Sequence, residues 1–175
     1  MTSKSIIVKW AAIGSIAYLV VGVIGHLISI QTSGFMSFLF GILIAFPILM
    51  ASFDFRDKYN GSFATLPQIF IQGIKITFLL AIVAASWSLV YASVINEKYI
   101  EDVRFKNKIE LMEMGFEEAQ IDEDNALADE KRSPVYSLVL IKFINAIIFG
   151  IFVSLVAGLV IRNEKPRPEL NHEEA

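Results

Sequence analysis

Two lysines, Lys75 and Lys142, stand inside long apolar runs, and His26 stands in a third. A charge within a membrane-length segment is costly, so by default it marks a functional position. Asn145 follows Lys142 by three residues and falls on the same helical face. His26 lies at a similar depth in its own segment, and Tyr91 matches it in height on another. His26, Tyr91, Lys142 and Asn145 are therefore candidates for one polar pocket in the outer leaflet, where lysine and imidazole suit a phosphate or a carboxylate. The plainer reading gives each an interhelical hydrogen bond, contributing about 0.6–2 kcal/mol, or lets Lys142 snorkel to the headgroups. At the opposite end, Gln68, Gln72 and Lys75 share a face that reaches toward Asp54 or Asp57. Asp54, Arg56, Gln72 and Lys75 form a second candidate contact, for a lipid headgroup or substrate. The plainer reading there is an interfacial anchor or a structural ion pair.

Catalytic chemistry has little to work with. The apolar segments hold no carboxylate, and there is no G-x-S-x-G, P-loop or H-E-x-x-H pattern. The chain has no cysteine and two histidines, His26 and His172, so thiolate chemistry and a multi-histidine metal or haem site are excluded within one chain. Asp122–Asp124 lacks the glycine and spacing of a calcium loop. No catalytic residue, metal site or cofactor is expected. The net charge of −3 comes mostly from one acidic segment, which gives no ground for nucleic-acid binding.

The elements that must position these residues are membrane spans. The 175 residues are 55% hydrophobic, above the usual 45–50% or so of soluble domains, and the excess lies in long uncharged runs. Spans are expected over about 6–30, 35–53, 68–96 and 135–161. The first is too long for a signal peptide and lacks an A-x-A-like cleavage site. Pro47 should kink the second. Asn60-Gly61 is turn chemistry, Ser62 is placed to cap, and Leu66-Pro67 suits the first turn of the third span. The segment 97–133 carries twelve acidic and six basic residues and reads as a helical, extramembrane insert. Within it Phe105, Ile109, Met112 and Phe116 make one apolar stripe. Beyond Gly115 the pattern fades into a solvated, looser stretch, and the tail 163–175 reads as disordered. The expected fold is thus all-α, a single polytopic membrane domain of four transmembrane helices with an acidic helical insert between the third and fourth.

Four spans put both termini on one side. Lys4, Lys9, Arg56, Lys58, Arg162, Lys165 and Arg167 gather there, whereas the short loop 31–34 on the other side has no basic residue. The positive-inside rule then places the termini and the 54–67 loop in the cytoplasm and 97–133 outside, in the periplasm of a bacterium.

Small residues recur every four positions at Ala84, Ser88 and Ala92 and at Gly150, Ser154 and Gly158. This spacing lets helices approach closely, within one bundle or between copies. The Phe105–Phe116 stripe is open to a partner protein, the membrane surface, a second copy, or the bundle's own end.

Phe55-Arg56 with Tyr59-Asn60-Gly61, Phe63, Gln68 to Gly73, Tyr99-Ile100-Glu101, the acidic insert and Ser133-Pro134 resemble an uncharacterised family of four-helix bacterial membrane proteins, a domain-of-unknown-function family. The resemblance covers nearly the whole chain. It implies four spans and the bacterial inner membrane, and it carries no catalytic residues. Three functional readings stand: a non-enzymatic accessory or assembly subunit of an envelope complex, preferred; a small oligomeric transporter or channel; and a protein acting on or binding lipid-linked substrates. The partners expected are membrane lipid and other membrane proteins or further copies of the chain.

Overall fold

The computed structural model describes residues 2–163. Six helices follow in order: α1 (Ser3–Leu27), α2 (Gly34–Asp54), α3 (Leu66–Val90), α4 (Tyr99–Glu113), α5 (Glu118–Lys131) and α6 (Pro134–Ile161). Four of them, α1, α2, α3 and α6, are long and apolar enough to cross a membrane. The protein is an all-α polytopic membrane protein, and α4 and α5 form a two-helix arm between its last two spans. Among the described residues there is no strand, only one isolated bridge.

Local chemistry sets the helix ends. The Thr2 and Ser33 hydroxyls accept from the Ser5 and Met36 amides, capping α1 and α2. The expected cap at Ser62 is corrected: Ser62 (φ 68°) and Gly61 (φ 62°) are consecutive left-handed residues that reverse the chain. The start of α3 is capped instead at Thr65, whose amide donates to Gln68 Oε1 at 3.0 Å. The charged stretch is also more helical than expected. α2 runs on through a wide π turn, Phe55–Tyr59, and α3 ends in a second, Tyr91–Ile95.

Close approach holds the bundle together, because apolar burial drives little helix association in lipid. The α3–α6 interface is the most extensive. There Gly150 faces Thr77 and Gly73 faces Ser154 so closely that an added Cβ would meet Thr77 Cγ2 at 2.2 Å or Ser154 Cβ at 2.6 Å. Gly158 lies against Leu66. On the other side, Gly14 receives Pro47, so the proline packs where α1 has no side chain. The buried core includes Ile6, Ile48, Ile69, Ile76, Leu80, Ala81 and Ala157.

The looser stretch expected beyond Gly115 is corrected too. Gly115 (φ 95°) ends α4, with the Phe116 amide donating to Leu111 O and the Gly115 amide to Met112 O, and α5 follows at once. α5 returns along α4 through Arg104–Asp129 and through Lys108 with Asp122 and Glu118. Of the tail 163–175, only Asn163 is within the described residues. Its backbone pairs in both directions with Ala64 (2.8 and 2.9 Å), and its side chain donates to Ser62 O.

Candidate functional site

The end of the bundle that carries the arm holds a group of aromatic and polar side chains. His26 Nδ1 and the Tyr91 hydroxyl share a hydrogen bond of 3.1 Å between α1 and the π turn after α3. Tyr91 is buried edge-on against Tyr99, with ring centroids 4.7 Å apart, and Trp87 lies on its other side at 5.8 Å. Tyr99, Ile100 and Val103 dock the base of the arm on this aromatic group and on Leu138. Burial, and secondarily the neighbouring Tyr91, raises the Tyr99 hydroxyl above its ordinary pKa, so it stays neutral.

Lys142 stands on the other side of this group. It lines a small inner cavity with Tyr18, Gln31, Phe40, Trp87, Ser88, Tyr91 and Tyr99. It also lines a larger cavity of about 430 Å³ between α2 and α6. The larger cavity is floored by Tyr18 and Ala84 and walled by Phe38, Phe40, Gly41, Ile42, Ala45, Ala146 and Phe149. Its polar atoms come from Ser37, Tyr18, Lys142 and Asn145. Tyr18 is buried and stacks on Phe40, with centroids 4.4 Å apart.

Of the four residues expected to share an outer pocket, His26 and Tyr91 therefore touch, Tyr91 and Lys142 line one cavity, and Lys142 and Asn145 line the next. They form a chain of neighbours rather than one ring. Tyr18, Gln31, Ser37 and Tyr99 complete the region; of these the sequence marks only Tyr99, and for family resemblance rather than for this site. For Tyr18 a signal existed: Ala11, Gly14, Tyr18, Gly22 and Gly25 recur at three and four residues, the inward face of α1.

The opposite end is organised by Asp54 rather than by Lys75. The carboxylate is buried and accepts from Trp10 Nε1 at 2.8 Å and Lys9 Nζ at 3.1 Å, and it pairs with Lys58 four residues on. The Lys9 ammonium also lies 4.5 Å from the Trp10 ring centroid. Arg56 pairs with Asp57 and donates to the Ile161 carbonyl at 3.2 Å, closing the C-terminus of α6. Gln72 donates to Ser3 Oγ. Lys75 is exposed on α3 and meets neither Asp54 nor Asp57, whose partners lie on other elements. This end is a set of structural ties in which the Asp54 carboxylate is fully engaged, while Gln72 Oε1 is buried without a hydrogen-bond partner.

The small-residue rows face inward as well. Gly150, Ser154 and Gly158 pack on α3, and Ala84, Ser88 and Ala92 are buried. The row Phe105, Ile109, Met112 and Phe116 is exposed along the arm, with Phe105 at 67%. None of the four is buried against the bundle or α5. Among the described residues no group of three or more His, Cys, Asp or Glu is placed to hold a metal ion.

A family model described as "Protein of unknown function (DUF4199)" matches residues 9–163. No curated protein and no solved structure matches the chain.

Proposed function

The chain belongs to that family, DUF4199, and from this premise we propose that it is a non-enzymatic accessory subunit of a membrane complex, docking a partner protein through the α4–α5 arm. The carrying observation is the continuous exposed row Phe105, Ile109, Met112 and Phe116 on an otherwise charged arm. Such a ridge marks an interaction surface when it lies outside the lipid. The arm is strongly acidic, so it repels an anionic lipid surface and favours a protein groove with a basic rim.

The orientation proposed with this reading sets the termini and the 54–67 loop in the cytoplasm and the arm in the periplasm, in a bacterial inner membrane. Its support is that Lys4, Lys9, Arg56 and Lys58 lie at one end, joined there by Lys9–Asp54 and Ala64–Asn163. A conduit through a single chain is disfavoured, because Ile48, Ile76, Leu80 and Ala81 fill the centre of the bundle.

The test is photo-crosslinking in native membranes, with the photoreactive residue at Phe105, Ile109, Met112, Phe116 or, as a control, Asn107 on the opposite face of α4. The reading expects one and the same heteromeric adduct at all four row positions, weakened by salt and absent at Asn107. Adducts to the chain's own copies alone, or equal adducts at Asn107, would overturn it.

A further inference from the structure

The cavity between α2 and α6 is unlike the arm in kind, and its chemistry points elsewhere. Its walls are Phe38, Gly41, Ile42, Ala45, Ala146 and Phe149, while its donors are Lys142, Tyr18, Asn145 and Ser37. No carboxylate lines it. Among the described residues neither the Lys142 ammonium nor the Tyr18 hydroxyl has a hydrogen-bond or ion-pair partner, whereas Lys9, Lys58, Arg104 and Lys108 each pair with a carboxylate.

Depth matters as much as charge. Lys142 is eight residues into α6, about 12 Å along the helix axis. α6 has 28 residues, about 42 Å, against a hydrocarbon core of about 30 Å. Centred, the helix puts the Lys142 backbone roughly 6 Å below the headgroup boundary, with its ammonium in reach of it. The cavity runs from there along α2, beside the outward-facing Phe38, Ile42, Ile148 and Phe152. It offers an anion site at headgroup level and an apolar channel leading into the leaflet.

We propose that this cavity is a lateral binding site for one anionic glycerophospholipid of the surrounding leaflet. The lipid phosphate is held by Lys142, Tyr18 and Asn145, and the upper part of one acyl chain lies between Gly41 and Phe149. The volume of about 430 Å³ suits a headgroup and part of a chain, within the usual range of about 300–1,000 Å³ for ligand pockets. Gly41 keeps the channel open: an added Cβ would touch only the Phe149 ring, at 3.5 Å (Cζ) and 3.8 Å (Cε1), so Cβ itself is tolerated while a longer side chain fills the space. The inference is independent of the arm and of any partner protein.

The test is native mass spectrometry of the full chain in detergent, titrated separately with dioleoylphosphatidylglycerol, dioleoylphosphatidylcholine and inorganic phosphate. Wild type should retain one phosphatidylglycerol about tenfold more tightly than phosphatidylcholine, the scale of one charge-assisted contact. Lys142→Met should bring phosphatidylglycerol down to the phosphatidylcholine level, Lys142→Arg should keep the preference, and Lys75→Met should change nothing. Gly41→Leu should weaken both lipids, which tests the channel without touching the charge and stands if Lys142→Met fails to fold. Equal retention of the two lipids by wild type, wild-type retention by Lys142→Met or Gly41→Leu, or full displacement of the lipid by millimolar phosphate would overturn the proposal.

Discussion

Trp10 Nε1 donates to Asp54 Oδ2 at 2.8 Å across the α1–α2 interface, and this bond fixes the end of the bundle away from the arm. Asp54 is 7% exposed and Trp10 9%, so neither group is satisfied by water once the other is removed. Lys9 and Lys58 approach the same carboxylate from the solvent side. Asp54→Ala therefore leaves a buried indole donor and two lysines without an acceptor. A loss of about 2–3 kcal/mol is expected, read as a lower melting temperature in detergent. Asp54→Asn retains an acceptor for Trp10 and should cost distinctly less. Equal melting of the two variants would show that the charge, not the indole bond, matters.

Gly150 and Thr77 set the distance between α3 and α6. A Cβ at position 150 would fall 2.2 Å from Thr77 Cγ2 and 2.8 Å from Thr77 Cβ, so rotating the threonine cannot relieve the overlap. Gly150→Ala should destabilise by about 1–3 kcal/mol, as overpacking does. Thr77 Oγ1 is buried without a hydrogen-bond partner, so Thr77→Ala alone should be close to neutral or mildly stabilising. Combined, the two changes should fall short of their sum, because the alanine removes two of the three clashing atoms. A strictly additive double variant would place the strain elsewhere. Gly34→Ala, with nothing within 4 Å, is the neutral control.

The arm responds to pH through the ion pairs between α4 and α5. Arg104 beside Asp129 holds that carboxyl below its ordinary range, and Asp122 and Glu118 raise Lys108. A depressed carboxylate stabilises the folded arm above its unfolded pKa, and that contribution is lost as pH falls through the lower, folded value. A raised lysine acts oppositely: its contribution is present below the unfolded pKa and is lost only as pH rises through the folded one. Amide-exchange protection of α5 should thus be flat from pH 6 to 9 and fall toward pH 3, while α6 keeps its protection. Arg104→Ala should remove much of the acid dependence. Acid loss of equal size in α5 and α6 would assign the effect to the bundle.

The four spans were legible because each holds at least 19 consecutive uncharged, mostly apolar residues, which have few alternatives to a membrane helix. Depth was legible for the same reason, and His26 with Tyr91 and Lys142 with Asn145 are neighbours in the folded chain. Facing was not. These helices are apolar on every side, so periodicity marks the inward face only through small residues, and Lys75 was assigned to a face it does not share with Asp54. α5 lacked a signal because Ile121 is its only buried apolar residue and long-range ion pairs carry its attachment. The Asn163–Ala64 tie was hidden because backbone pairing between distant residues leaves no mark in side-chain type.

The orientation of the chain is open to a direct measurement, since it has no native cysteine. Gly61 and Ser62 form an exposed left-handed reversal after the π turn, and Asp122 is exposed on α5. Single cysteines at Ser62 and Asp122 thus report on opposite ends of the bundle; the Asp122 change gives up one ion pair to Lys108, which keeps Glu118. With the basic end cytoplasmic, an impermeant maleimide applied to intact cells with a permeabilised outer membrane should label the Asp122 site and spare the Ser62 site. Lysis should make both reactive. The reverse pattern would invert the chain, turning Lys142 and its cavity toward the cytoplasmic leaflet, and would place the Phe105–Phe116 row before cytoplasmic rather than periplasmic partners.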